Sequence, residues 1–272
     1  MKTRTQSTAR TASAFTMVEI ALCLAIVGFA LVAIIGVLPA GLNVQKDNRE
    51  DTILNQDTSV WLDAIRAGGT GPGASAAYDD LTNYVDRIRI EHYHYADANP
   101  LTAPTRPFPD TVGEVVIGPQ TTLAITNGAM IVGLLSTPQI IRDDPRSATS
   151  GFTSNHVVAF VRSINGSATE KAPQNNPDVR DLAFGYRMAV EMIPHGAADL
   201  AFIQTNAIDR VLEQNLTDVR LYYRWPLQKP YDPKQNDPAV GLSHLSFRTQ
   251  LAGTVSNVSG FYYLQPRSFV AK

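Results

Sequence analysis

Residues 20–38 form an uncharged apolar run of 19 residues, and no other feature limits the fold of this chain as strongly. A helix that is apolar on every side has to be buried in protein or placed in lipid. At 1.5 Å per residue the run spans roughly 28 Å, close to the hydrocarbon thickness of a bilayer. Residues 1–14 precede it with Lys2, Arg4 and Arg10 and no acid, a charge bias that holds the N-terminus on the cytoplasmic side. One acid, Glu19, stands at the N-terminal edge of the run. A carboxylate is costly there, so it needs a partner or a purpose.

Several processing signals compete for such a segment. A secretory signal peptide has an apolar core of about 7–15 residues followed by a small-x-small cleavage site. Here the core is longer. Cleavage after Ala40 or Gly41 puts Leu38 or Pro39 where a small residue belongs, and the Ala12-Ser13-Ala14 triplet lies on the wrong side. A lipoprotein signal at Cys23 fails because Leu22 is not small. A plain signal anchor accounts for the run and the basic leader, but not for Glu19 or the residues just before it.

Those residues, Phe15-Thr16-Met17-Val18-Glu19 after Ala14, resemble the prepilin-type N-terminal cleavage/methylation segment of type IV pilins and type II secretion pseudopilins. The resemblance covers roughly residues 10–65. It implies that a prepilin peptidase cuts between Ala14 and Phe15, that the new amine of Phe15 is methylated, and that Glu19, fifth in the mature chain, is required for assembly. The family normally has Gly where this chain has Ala14, so slower cleavage is expected. Pro39 matches a helix-bending proline common in the family. The resemblance also implies a single-pass protein of the inner membrane, with a cytoplasmic N-terminus and a periplasmic C-terminal domain. Its partners would be the peptidase and other pilin or pseudopilin subunits in a periplasmic or extracellular fibre. Shorter stretches are similar to a pseudopilin-like group called Verru-Chthon cassette protein B: Val37-Leu38-Pro39-Ala40-Gly41-Leu42, Leu134-Leu135-Ser136-Thr137-Pro138, and Asp218-Val219-Arg220-Leu221 through Arg224-Trp225-Pro226. That likeness implies a minor subunit and no reaction.

Composition narrows the rest. Without the leader's three basic residues, 20 of the chain's 23 Lys and Arg remain against 25 acids, a net charge of −5. A nucleic-acid-binding surface would be basic. The only cysteine is Cys23, inside the apolar run, which excludes disulfides from the exported part. About 200 residues follow the anchor, enough for one domain with a sizeable core.

The chain divides into a leader (1–14), a transmembrane and assembly helix (15–38), its continuation (39–67) and a β-rich domain (68–272). Pro39 removes a backbone donor and kinks the helix. Residues 43–52 are more polar and bridge the membrane and the domain. Leu54, Thr58, Trp61, Leu62 and Ile65 recur at three- and four-residue steps and mark a face that packs on the domain. Gly68-Gly69 ends the helix. Alternation of apolar and polar residues over 87–95, 184–192, 219–225 and 245–251 predicts strands of an antiparallel sheet with one buried face. The apolar runs 130–136 and 156–162 suit buried strands. Loops rich in Pro, Gly and Asn are expected at 97–110, 165–180 and 226–241. The fold class is therefore α+β: a long N-terminal, partly transmembrane helix on an antiparallel sheet.

Little in this domain points to chemistry. His92 and His94 share a strand face, but a transition-metal site needs three or more ligands, and His156, His195 and His244 are scattered. Asp143-Asp144 and the loop from Asp232 to Asp237 lack the EF-hand pattern, and Lys229 and Lys234 dilute the latter. Residues 68–73 have no Gly-Lys-Ser/Thr, and no hydrolase, zinc-protease or Cys-x-x-Cys motif occurs. Of the aromatics Tyr222, Tyr223, Trp225, Phe261, Tyr262 and Tyr263, at least half are expected in the core. The expectation is a structural fibre subunit with no enzyme activity, cofactor, metal, nucleic-acid partner or small-molecule substrate. The alternative is a signal-anchored periplasmic or cell-surface binding protein.

Overall fold

The computed structural model describes residues 16–68, 78–95, 127–144, 151–165, 184–197, 207–228 and 239–270. Two compact units divide at Glu50 and Asp51. One helix, α1 (Met17–Ala67), contains Pro39 and crosses that division. Its apolar part, residues 20–38, is exposed throughout, from Ile20 and Leu24 to Phe29 and Ile35. This helix is long and apolar enough to cross a membrane.

The second unit is built on a seven-stranded antiparallel sheet. A 3₁₀ turn (Asp79–Asn83) leads into β1 (Val85–Tyr95). Then come α2 (Gly128–Leu135), β2 (Ile140–Arg142), β3 (Phe152–Arg162) and β4 (Gly185–Pro194). A short amphipathic helix, α3 (Ala207–Asn215), precedes β5 (Leu216–Leu227), β6 (Val240–Val258) and β7 (Phe261–Pro266). The spatial order is β1-β3-β4-β5-β6-β7, with β2 on β3, so the strands from β3 onward form a meander. All four alternating runs are strands, as their period-two pattern requires.

The core lies under one face of this sheet. Ile88, Val157, Ala159, Met188, Val190, Val219, Leu221 and Tyr223 point inward, and Leu54, Trp61, Ala64 and Ile65 of α1 meet them. The buried stripe of α1 runs Ile53, Leu54, Asp57, Thr58, Trp61, Ala64 and Ile65, whereas Leu62 is only half-buried. Tyr186 and Tyr223 stack edge-on at 5.5 Å, and Phe247 continues the series at 5.8 Å from Tyr223.

The run expected as a strand at 130–136 is instead helical through Leu135, with Ser136 as the C-cap. Asn127 caps α2 by accepting the Met130 N–H at 2.9 Å, and seven of its eight residues are buried. A short apolar run fits a buried helix and a buried strand equally, since periodicity cannot separate them. The deciding signal is the capping asparagine. The expected loop at 226–241 is shorter at both ends, because β5 extends to Leu227 and β6 starts at Val240. Residues 97–110 and 166–180 lie outside the described residues.

Gly68 ends α1 with φ +64, and its N–H donates to Ile65 at 3.2 Å. A Cβ there would lie 2.1 Å from the Leu264 carbonyl oxygen. Gly68→Ala therefore combines a left-handed backbone cost of about 1–2 kcal/mol with displacement of β7. We expect it to lower the unfolding midpoint of the domain, while Arg66→Ala, at an exposed position two residues earlier, leaves it unchanged. Equal midpoints for the two variants would contradict this packing.

Candidate functional site

At the first turn of α1, Thr16 precedes the helix and Glu19 is its third residue. The Glu19 Oε2 accepts the Thr16 N–H at 2.9 Å and the Thr16 hydroxyl at 3.0 Å, and the Glu19 N–H donates to Thr16 Oγ1 at 3.3 Å. Reciprocal bonds at this spacing make a capping box, which satisfies donors that the helix leaves unpaired. Within one chain Glu19 thus has a local partner, and it is exposed. Ala14 and Phe15, the expected cleavage and methylation residues, lie outside the described residues. Pro39 lies inside α1, which runs unbroken through it. Cys23 is exposed on the apolar segment.

The strongest polar construction lies in the core of the second unit. Asp57, in the middle of the apolar stripe of α1, is fully buried. Its Oδ1 accepts the Asn165 N–H at 2.8 Å and the Asn165 Nδ2 at 2.9 Å. Its Oδ2 accepts the Ile164 N–H at 3.0 Å and the Tyr186 hydroxyl at 2.9 Å. Trp61 Nε1 donates to the Tyr186 Oη at 2.9 Å, completing a chain from helix to β4 and back. Burial pushes the Asp57 carboxyl above its usual value, and the Ile164, Asn165 and Tyr186 donors oppose that push. Burial, with Asp57 alongside, drives the Tyr186 phenol well upward. The network locks α1, β4 and the turn after β3 together. Asp57, Trp61 and Tyr186 are fully buried, which suits a positional role.

This residue escaped the sequence reading. Its signal was a carboxylate three residues after Leu54 and four before Trp61, in the centre of an apolar stripe. A carboxylate whose folded value is raised contributes stability that is present below its unfolded value and lost as pH rises through its folded value. Asp57 should therefore give the wild-type chain a component of stability that falls with rising pH, and Asp57→Asn should lack it. Parallel stability–pH curves for the two proteins would contradict this.

On the opposite sheet face, Asp218 accepts from Arg248 Nε at 2.9 Å and Arg220 Nε at 3.1 Å. Burial pushes its carboxyl up, but the two arginines outweigh it and hold it low. Arg220 also lies 3.8 Å from Glu191, which completes a surface network across three strands.

Of the expected chemical residues, His92 contacts Asn155 Oδ1 through Nδ1 at 2.5 Å. The His94 side chain and Asp232 to Asp237 lie outside the described residues. The Asp143 N–H donates to Gly151. Among the described residues no group of three or more His, Cys, Asp or Glu could hold a metal. Of the six aromatics, Tyr223, Trp225 and Tyr263 are buried and Tyr222 is exposed. A cavity of about 430 Å³ opens between α3, β2 and β6–β7, bordered by Ile141, Met192, Val255 and Tyr262 and by Arg142 beside Glu213 at 3.5 Å.

No family model, curated protein or solved structure matches this chain.

Proposed function

We propose that this protein is a structural subunit, a minor pilin or pseudopilin, of a type IV pilus-like or type II secretion-like fibre. The observation that carries this reading is the form of α1: an apolar segment exposed on every side, opened by a turn holding Thr16 and Glu19, and continued into a helix that anchors a folded sheet domain. Such a segment is at home in lipid before assembly. It leaves lipid only when other apolar helices replace the lipid contacts, so the role is oligomeric by nature.

On this reading the prepilin peptidase cuts between Ala14 and Phe15 and the Phe15 amine is methylated. Glu19 then exchanges its intrachain bonds with Thr16 for the Phe15 amine of a neighbouring subunit. A charge pair buried among helices gains most in setting register. Pro39 marks the part of the helix that bends to fit the fibre. The subunit waits in the inner membrane, N-terminus inside and domain outside.

The test is fractionation of cells that express the full chain with its fibre machinery. The chain should move from the membrane to the sheared or high-mass particle fraction when the assembly ATPase is present, and remain in the membrane when it is absent. Identical distribution in both strains contradicts the proposal.

One observation favours a second reading, an anchored binding protein. The cavity beside α3 has the size of ordinary small-ligand sites, with an apolar wall and one ion pair. That reading requires the leader to stay uncut.

A further inference from the structure

Strand β6 runs for 19 residues, but its two neighbours use different parts of it. Residues 240–252 pair with β5, and residues 253–258 with β7. Gly253, at φ +142, marks the change of partner. Among the described residues nothing pairs with the second edge of 240–252. Its exposure agrees: Leu242 is 93% exposed, and Ser243, His244, Ser246, Arg248 and Gln250 are all exposed.

Proteins usually guard such an edge with lysine, proline, inward charges or a bulge. From 240 to 258 there is no Lys, Pro, Asp or Glu. The only formal charge, Arg248, is drawn over β5 by Asp218, whose carboxylate takes both its Nε and its Nη2 at 2.9 Å. The register irregularity lies near the strand's start, opposite Trp225 and Leu227, not in its centre. The core-facing side chains at this edge, Leu245 and Phe247, are left half-covered.

We infer that this edge pairs with the same edge of a second copy, antiparallel about a two-fold axis at Ser246. That register sets Leu245 of one copy against Phe247 of the other, twice by symmetry, and so completes the cover of both. On the outer face Ser246 meets Ser246, Arg248 meets His244, and Gln250 meets Leu242. No two arginines oppose each other, whereas an axis at Arg248 would place them face to face, an arrangement that disfavours pairing. Identical edges make a closed two-fold contact rather than an open chain. The inference does not depend on leader cleavage or on fibre assembly.

The test uses the full chain in lipid nanodiscs or detergent, with Cys23→Ser to clear the background. Paired residues across antiparallel strands lie about 4.5–5.5 Å apart, within disulfide range. Ser246→Cys should cross-link to its own copy at least about tenfold faster than Gln250→Cys, because two Gln250 positions would sit eight residues, about 27 Å, apart along the strands. A mixture of Leu242→Cys and Gln250→Cys chains should cross-link to each other. Ser246→Lys, on an exposed outer position, should leave the fold intact by circular dichroism and abolish the cross-link of a Leu242→Cys and Gln250→Cys pair. Equal rates at Ser246 and Gln250, or a cross-link that survives Ser246→Lys, would overturn the inference. Dimers held by α1 alone give no such register dependence.

Discussion

Asp57→Ala should destabilise the sheet domain by about 2–4 kcal/mol, because the buried Tyr186 hydroxyl loses its acceptor and the hydrogen bonds from Ile164 and Asn165 are lost with it. Tyr186 is fully buried, and an unsatisfied buried donor costs about 1–3 kcal/mol, whereas the half-buried Ile164 and Asn165 N–H groups lose only the net worth of a hydrogen bond, about 0.5–1.5 kcal/mol each. Set against an ordinary total stability of about 5–15 kcal/mol, that loss is a large share. Trp61 and Trp225, the chain's only tryptophans, are both in the core, so intrinsic fluorescence follows unfolding of the full chain in detergent. Asp57→Asn should also destabilise, because its amide nitrogen would face donors. Tyr186→Phe should cost less, about 1–2 kcal/mol, and should couple with Asp57→Ala, since the two share a bond. An unfolding free energy for Asp57→Ala within about 0.5 kcal/mol of wild type, the scatter of neutral surface changes, would show that the network does not hold the helix to the sheet.

The second large effect falls on assembly rather than stability. Glu19→Leu should leave the unfolding of the sheet domain unchanged, because Glu19 is exposed and belongs to the other unit. If the proposed function holds, its incorporation into a fibre should fall by at least about tenfold, as expected when a register-setting charge pair is lost. Thr16→Val separates the two roles open to Glu19. It removes the hydroxyl that both donates to and accepts from Glu19, so it breaks much of the capping box. If capping is what matters, Thr16→Val reproduces the Glu19→Leu defect. If pairing with a neighbour's Phe15 amine is what matters, Thr16→Val assembles nearly as wild type while Glu19→Leu does not. Normal incorporation of both variants would remove Glu19 from the assembly account.

The parts of this fold that the sequence revealed are those fixed by repeating local chemistry. An uncharged run of 19 residues suits a spanning or buried helix. Strands such as 219–225 announce themselves because alternate residues face core and solvent. The Leu54, Thr58, Trp61 and Ile65 spacing found the packed face of α1 before any partner was known. Failures came where a residue's meaning is set by a distant one. Residues 130–136 are apolar in either secondary structure, and only the Asn127 cap and the space beneath the sheet decide for a helix. Asp57 looks like an error in an apolar stripe until Tyr186, 129 positions away, and the turn at Ile164 and Asn165 supply its donors. That one edge of 240–252 has no partner among the described residues was equally hidden. Alternation identifies a strand, but it does not say whether both of its edges are occupied.

The central claim, that α1 is the assembly helix of a processed fibre subunit, is tested most directly at its first residue. Mass spectrometry of the N-terminal peptide, from native membranes of cells with and without the prepilin peptidase, reads that residue. The account predicts a chain that starts at Phe15, carries one methyl group on its amine, and appears only when the peptidase is present. An intact leader through Ala14 in both strains would contradict it and leave an anchored binding protein as the better description.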